Sequence, residues 1–154
     1  MVKEGDPVPD VKLEGADGKP ISPADFSGQK LVVYFYPKDD TSGCTSEAQA
    51  FTALADEFQK AGTWVLGVSK DSPKSHARFT EKYGLKVPLA SDTDGSGCEA
   101  FGTWVEKSMY GHKYMGIERA TFLVDRDGVV KRIWRKVKVT GHADEVLSAA
   151  RALP

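Results

Sequence analysis

The order of hydrophobic segments predicts an α/β fold, in which a mixed central β-sheet is flanked by helices and preceded by an N-terminal β-hairpin. A continuous apolar run, Leu31–Tyr36, is typical of a strand buried on both faces of a sheet. After it, strand and helix patterns alternate, which requires crossovers between parallel strands. Near the C-terminus, Arg119–Val124 and Val129–Trp134 flank a tight turn and must be antiparallel, so the sheet is mixed.

The first half of the chain supplies the hairpin and the first crossover. Val8–Leu13 and Lys19–Ile21 flank a turn-rich segment and are predicted to form the hairpin. Thr45–Lys60 carries its apolar residues on one face of a helix, and Gly62 ends that helix. Trp64–Val68 is then predicted to be a second buried strand.

The second half completes the sheet. Asp71–Tyr83 is predicted to be a helix with a proline in its first turn, followed by a short strand near Leu89. A short helix is expected around Cys98–Phe101, a turn-like loop over Ser108–Gly116, and a closing helix over Ala143–Leu153. This order of elements is that of the thioredoxin fold, to which an N-terminal hairpin is a common addition.

Length, charge and cysteine content narrow the functional classes. The 154 residues are predicted to form a single domain, residues 1–154. A net charge of -1 gives no reason to expect a nucleic acid or an anionic membrane as partner. The sequence shows neither a signal peptide nor a long apolar span, and two cysteines are too few for a secreted disulfide framework. We therefore expect a cytoplasmic protein.

Cys44 is the residue whose position points to chemistry. It falls where the loop after the central strand enters a helix, and unpaired N–H groups and the positive end of the helix dipole stabilise a thiolate there. A thiolate, not a thiol, is the nucleophile. Position alone leaves open that Cys44 is an inert core cysteine, since free cysteines are often buried.

The residues around Cys44 resemble a known family. Pro37, three residues, Thr41, two residues and Cys44 match the peroxiredoxin signature. Thr45 and Glu47 after it, with the chain length, are similar to the bacterioferritin comigratory protein or peroxiredoxin Q subfamily. Further matching segments span nearly the whole chain: Gly5–Asp10, Phe26–Gly28, Val32–Tyr36, Phe51, Gly67–Ser69 and Arg119–Asp125.

The resemblance implies a role for each residue of the site. Cys44 would be the peroxidatic cysteine, Thr41 would offer its hydroxyl to the peroxide, and Pro37 would shield the sulfur. Arg119 would stabilise the thiolate and the developing negative charge, and Glu47 would orient that arginine. Other interpretations stay open: Thr41 as a helix cap, Arg119 as an exposed strand-start residue, and Glu47 as a partner of the helix dipole.

A resolving cysteine is the second requirement that the resemblance implies. Many members of the subfamily carry it five positions after the first, where this chain has Gln49. Others carry it on a later helix, and Cys98 looks like that version. Because a disulfide needs Cα atoms within about 7 Å, we expect both cysteine segments to unwind locally on oxidation. Cys98 as a structural residue is the alternative.

The function that the resemblance implies is reduction of hydrogen peroxide and organic hydroperoxides, without a metal or organic cofactor, by a monomer. A thioredoxin-type thiol reductant would recycle the enzyme. A thiol–disulfide oxidoreductase is disfavoured because the sequence lacks Cys-x-x-Cys, whereas a redox sensor or holdase on the same fold is the alternative. The three histidines, His76, His112 and His142, follow no metal-ligand spacing and are predicted to be structural or exposed.

Overall fold

A computed structural model of the chain describes residues 1–154 and consists of nine strands and five α-helices. The strands are β1 (Leu13–Gly15), β2 (Pro20–Ile21), β3 (Lys30–Phe35), β4 (Thr63–Ser69), β5 (Leu89–Ser91), β6 (Trp104–Met109), β7 (His112–Ile117), β8 (Ala120–Val124) and β9 (Val130–Trp134). The helices are α1 (Ser42–Ala53), α2 (Ala55–Lys60), α3 (Pro73–Tyr83), α4 (Ser96–Phe101) and α5 (His142–Ala152). None of the helices is long and apolar enough to cross a membrane.

Seven of the strands form one mixed sheet in the order β2-β1-β5-β4-β3-β8-β9. Strand β3 lies in the interior of the sheet, parallel to β4 on one side and antiparallel to β8 on the other. Every residue of β3 is buried, as its unbroken apolar run predicts. The predicted architecture, a mixed sheet flanked by helices with an added N-terminal hairpin, is confirmed.

Alternate residues of β3 point into two separate hydrophobic cores. Val32 and Tyr34, with Tyr36 directly after the strand, belong to a core shared with α1, α2, α3 and α5, which we call the first core. Leu31, Val33 and Phe35 belong to a second core, which includes residues of α4 and the N-terminal segment. Because successive side chains of a strand point to opposite faces, the two cores lie on opposite sides of the sheet.

Two elements differ from the prediction by more than a residue or two at their ends. The helix expected over Thr45–Lys60 is two helices, α1 and α2, which begin earlier and break at Leu54, whose φ is -102° and ψ 8°. The first strand of the hairpin is Leu13–Gly15 rather than Val8–Leu13, and it pairs with both β2 and β5. The bounds of β1 are set by its pairing partners, which lie outside the local sequence pattern.

The segment Ser108–Gly116, predicted to be a loop, belongs to a two-stranded hairpin formed by β6 and β7. Its turn residues, Tyr110 and Gly111, have φ of 51° and 81°. Positive φ at both positions suits the twist of a hairpin, but tyrosine is not the residue usually found there. Most of the hairpin is exposed, so no alternation of buried and exposed residues marks it in the sequence.

Candidate active site

Cys44 lies in the first turn of α1, directly after the loop that leaves the central strand. Thr41 is the N-cap residue, and its carbonyl accepts the first helical bond, from the Thr45 N–H at 2.8 Å. The N–H groups of Gly43 and Cys44 have no acceptor within the protein. They supply unpaired donors and the positive end of the helix dipole beside the sulfur.

Arg119 reaches Cys44 from a distant part of the chain. Its Nη2 lies 3.4 Å from Cys44 Sγ across 75 positions of sequence. The topology explains this approach, because β8 runs antiparallel beside β3 and pairs Ala120 with Phe35. Arg119, just before β8, therefore lies at the edge of the sheet where the Cys44 loop emerges.

Glu47 holds Arg119 from the other side. Glu47 Oε1 accepts a hydrogen bond from Arg119 Nη1 at 2.7 Å, and its side chain is 1% exposed. Glu47 Oε2 has no partner. Burial raises the pKa of Glu47 to about 7, although the charge and hydrogen bond of Arg119 act in the opposite direction. Burial would lower the pKa of Arg119, but Glu47 and the Cys44 sulfur together raise it.

Two further residues, which the sequence patterns did not mark as part of the site, shape this cluster. A Cβ atom at Gly43 would lie 3.2 Å from Arg119 Nη2, so the glycine leaves room for the guanidinium. Lys107 on β6 is a second cation near the sulfur, and burial, followed by the charge of Arg119, lowers its pKa. Lys107 was missed because it precedes the loop predicted over Ser108–Gly116, and its strand β6 was not predicted.

Thr41 and Pro37 lie at the surface of the site. Both residues are exposed. The Thr41 hydroxyl donates to the Lys38 carbonyl at 2.8 Å and makes no capping bond to the helix. Because its proton is engaged, the hydroxyl is left with lone pairs that can accept a hydrogen bond from a ligand.

The loop between β3 and α1 is anchored by a buried carboxylate. Asp39 accepts hydrogen bonds from the Tyr36 hydroxyl at 2.6 Å and the Ser75 hydroxyl at 2.8 Å. Its Oδ2 also lies 2.7 Å from His76 Nδ1, and the His76 side chain is 1% exposed. His76 was predicted to be structural or exposed, and it is buried in this network. These bonds tie the loop before Cys44 to helix α3.

The structure does not bring Cys98 to this site. Cys44 belongs to the first core and Cys98 to the second core, on the opposite face of the sheet. Both thiols are free and buried. Of the six predicted site residues, the structure therefore gathers Cys44, Arg119 and Glu47 in direct contact, with Thr41 and Pro37 at the surface nearby and Cys98 elsewhere.

Comparison with known proteins defines the class. The AhpC/TSA family matches residues 4–133. A peroxiredoxin Bcp from Xanthomonas campestris is 51% identical over 143 residues, covering 93% of this chain and 89% of the relative. The peroxiredoxin Bcp of Escherichia coli K12 is 44% identical over 147 residues, covering 96% and 94%. The solved structure of a Xylella fastidiosa PrxQ variant has a TM-score of 0.93 at 40% identity, covering 99% of this chain and 97% of that chain.

The chain belongs to the AhpC/TSA family. Within that family it is a peroxiredoxin of the Bcp or peroxiredoxin Q type, and hence a thiol-dependent peroxidase. The resemblance seen in the sequence and the thioredoxin-like fold that it implies are confirmed.

The solved structures also bear on the second cysteine. Two cysteine-to-serine variants of Xanthomonas campestris peroxiredoxin Q have been solved. The two replaced cysteines are closer to each other in that sequence than Cys44 is to Cys98 in this one. Cys44 and Cys98 are therefore not spaced along the chain like the two cysteines replaced in the Xanthomonas campestris protein.

Proposed function

We propose that the Cys44 thiolate attacks a hydroperoxide and is the residue that carries the peroxidase activity. The observation behind this proposal is the Arg119 guanidinium, 3.4 Å from the sulfur and fixed by Glu47 at 2.7 Å. Arginine stays charged and presents several N–H donors in a planar fork. It can therefore stabilise the thiolate and an oxygen of the peroxide together.

The reaction is a displacement at oxygen. The sulfur lone pair of Cys44 forms a bond to the terminal peroxide oxygen, and the O–O bond breaks toward the other oxygen. The products are the Cys44 sulfenic acid and an alkoxide or hydroxide, which takes a proton to give alcohol or water. Negative charge moves from sulfur to the leaving oxygen, so donors fixed at that end lower the barrier more than they stabilise the ground state.

The remaining predicted residues would position the peroxide. The Thr41 hydroxyl, which already donates to Lys38, would accept a hydrogen bond from the peroxide O–H. The unpaired N–H groups of Gly43 and Cys44 would donate to the oxygens. Pro37 would limit the access of water to the sulfur from the surface.

We propose hydrogen peroxide and organic hydroperoxides as substrates and a thioredoxin-type thiol protein as reductant. Alkyl peroxide reduction is the activity studied in the Xanthomonas campestris bacterioferritin comigratory protein. We further propose that residues 1–154 act as one domain and that the protein is a cytoplasmic monomer. The paucity of cysteines and the family resemblance support these assignments.

Peroxide consumption coupled to a thioredoxin and thioredoxin reductase system tests the assignment of Cys44. Cys44→Ser is expected to lose all activity, and surviving activity in this variant would defeat the proposal. Oxidation of wild type by one equivalent of peroxide, with no turnover under any thiol reductant, would favour a redox sensor instead.

Arg119→Lys tests the role of the guanidinium. Lysine keeps the positive charge but lacks the planar guanidinium with its several N–H donors. The rate constant for Cys44 oxidation by peroxide is therefore expected to fall by about 10²-fold. Arg151→Lys is the matched control, since Arg151 also donates to a glutamate, Glu57, but at the exposed surface. Equal rates for the two lysine variants would show that Arg119 contributes only charge or packing.

A further inference from the structure

We infer that the sulfenic acid of Cys44 is reduced directly by an external thiol, and that Cys98 takes no part in the catalytic cycle. This inference rests on the proposed role of Cys44. It replaces the intramolecular disulfide that the family resemblance implies with a mixed disulfide between this protein and its reductant.

The sheet itself separates the two cysteines. Cys44 packs in the first core with Tyr34, and Cys98 packs in the second core with Phe35. Tyr34 and Phe35 are consecutive residues of β3 and point to opposite faces. Cysteines on helices covering opposite faces are separated by the thickness of the sheet and its side chains, which exceeds the Cα separation of about 7 Å that a disulfide tolerates.

Helix α4, which carries Cys98, is held in place at its first turn. The buried Asp92 carboxylate accepts hydrogen bonds from the N–H groups of Gly97 at 2.9 Å and Cys98 at 2.7 Å. A Cβ atom at Gly97 would lie only 3.0 Å from that carboxylate and 3.1 Å from Leu13, so the turn is tightly packed. Unwinding it would leave the Asp92 carboxylate without these donors in the core.

The far end of α4 is held as well. The Phe101 ring lies 4.9 Å, centroid to centroid, from both Phe35 and Phe122. Arg135 donates to the carbonyls of Phe101 at 3.1 Å and Gly102 at 3.2 Å. Release of Cys98 would therefore break an aromatic cluster and a helix cap together.

The chemistry of Cys98 is also that of a structural thiol. It is completely buried. Burial, followed by the hydrogen bond and the charge of the Asp92 carboxylate, raises the pKa of Cys98 to about 12. A thiol of this kind supplies almost no thiolate at neutral pH, and thiolate is what attacks a sulfenic acid.

No other thiol of the chain can take its place. The chain has two cysteines, and Gln49 occupies the position at which a nearby resolving cysteine would lie. Cys44 itself is buried in the reduced protein, but Thr41 and Ser42, which precede it in the same loop and helix turn, are exposed. The second thiol must therefore come from outside and approach on this side of the sheet.

The cycle balances with two external thiol groups. A thiolate of the reductant attacks the Cys44 sulfur, the S–S bond forms, and hydroxide leaves and takes a proton to become water. A second reductant thiolate then attacks the sulfur of the reductant in the mixed disulfide and releases the Cys44 thiolate. In total, one hydroperoxide and two thiols give alcohol, water and one disulfide.

Mass spectrometry of the oxidised protein tests this inference without any substitution. Wild type treated with one equivalent of cumene hydroperoxide and then dimedone is expected to carry dimedone on Cys44, with Cys98 as a free thiol. A Cys44–Cys98 disulfide under the same conditions would overturn the inference and leave the role of Cys44 intact. If Cys44 were not oxidised at all, the proposed function would fail instead.

The catalytic turnover of Cys98 variants is a second test of the inference. Cys98→Ala and Cys98→Ser are expected to turn over at the wild-type rate per folded molecule, with the folded fraction measured by circular dichroism. Loss of turnover in both, with Cys44 still oxidised at the normal rate, would overturn the inference. Parallel assays with the thioredoxin system and with glutathione identify whether the external thiol is a dithiol protein or a small monothiol. Wild-type turnover with neither would also overturn the inference.

Discussion

At the scale of single residues, the site depends on how Arg119 is shared between a sulfur and a carboxylate. Glu47 fixes one nitrogen of the guanidinium, which leaves the other directed at Cys44. Glu47 is buried, and only one of its two oxygens has a partner. The position of the Arg119 guanidinium is therefore set by two close contacts. A small displacement of this group should change the rate of Cys44 oxidation measurably.

Gly43→Ala is expected to slow the oxidation of Cys44 without destabilising the protein. The added Cβ would lie 3.2 Å from Arg119 Nη2, so the guanidinium must shift by a few tenths of an ångström. We expect roughly a tenfold lower rate constant in stopped-flow measurements. The free energy of unfolding should rise by up to about 1 kcal/mol, because alanine favours the helix. Ser42→Ala, one residue earlier and exposed, is the control and should keep the wild-type rate.

Glu47→Gln is expected to remove a pH dependence of stability. The pKa of Glu47 is raised from 4.5 to about 7, so the native state holds this proton more tightly than the unfolded state does. The stabilisation is complete below the unfolded pKa and is lost as pH rises through about 7. Relative to Glu47→Gln, wild type should lose a few kcal/mol of unfolding free energy over that range, measured by urea denaturation.

The control for Glu47 is Glu57→Gln, which removes an exposed carboxylate paired with Arg151. Its stability should follow the same pH dependence as wild type. A pH dependence unchanged in Glu47→Gln would mean that the buried carboxylate is ionised throughout this range.

At the scale of elements, the loop before Cys44 is held by helix α3 rather than by its own sequence. Asp39 is buried and receives hydrogen bonds from Tyr36 on the loop side and Ser75 on the helix side. Its neighbour Asp40 has a φ of 59°, so the backbone there is in a left-handed conformation that few residues favour. The bonds to α3 compensate for this local cost and fix the entry of α1.

Asp39→Asn is expected to destabilise the protein by about 3–5 kcal/mol, the usual cost of removing one charged partner from a buried hydrogen-bonded network. Burial would raise the pKa of Asp39, but hydrogen bonds from His76 and Tyr36 bring it below its ordinary value of 3.8. The carboxylate therefore stabilises the fold above that value, and this contribution is lost as pH falls through the folded pKa. Urea denaturation at neutral pH measures the difference.

Asp40→Asn is the matched control for that experiment. Asp40 also accepts hydrogen bonds from α3, from Lys82 and Tyr83, but all of them are exposed to solvent. Asp40→Asn should therefore lower the free energy of unfolding much less than Asp39→Asn does. Equal losses for the two variants would show that burial of the network is unimportant.

At the scale of the whole molecule, the sheet divides the protein into a side that carries the candidate nucleophile and a side that carries Cys98. The first core carries Cys44 and Glu47 on α1, while the second core carries Cys98 on α4. The residues of β3 contribute to both cores but in alternation. The energetic coupling between two substitutions should therefore be strong when both lie in one core and weak when they lie in different cores.

Double-mutant cycles can test this division. Phe51→Leu in the first core and Phe101→Leu in the second should destabilise additively, within about 0.5 kcal/mol, because their side chains share no contact across the sheet. Phe101→Leu with Phe122→Leu is the comparison pair, since these rings are 4.9 Å apart. That pair should deviate from additivity by more than the first, and equal deviations would argue against two independent cores.

Local patterns were enough to predict most elements and to place Cys44 at the start of a helix. The apolar run of β3, the helical spacing after Cys44 and the proline at the start of α3 each carry their signal within a few residues. The β6–β7 hairpin was missed because its strands are mostly exposed and its turn uses Tyr110. The break at Leu54 between α1 and α2 was likewise not predicted, because no proline or glycine marks it in the sequence.

The sequence by itself determined the fold class, the family and the candidate nucleophile, because hydrophobic periodicity and the spacing from Pro37 to Cys44 are properties of neighbouring residues. The family resemblance implied that Arg119 and Glu47 serve Cys44, but only the tertiary structure decided how these distant residues meet and where Cys98 lies. Strand pairing brings Arg119 to Cys44, and strand alternation puts Cys98 on the other face of the sheet. Contacts of this kind follow from how non-local strands pair, and no local pattern of the chain encodes that geometry.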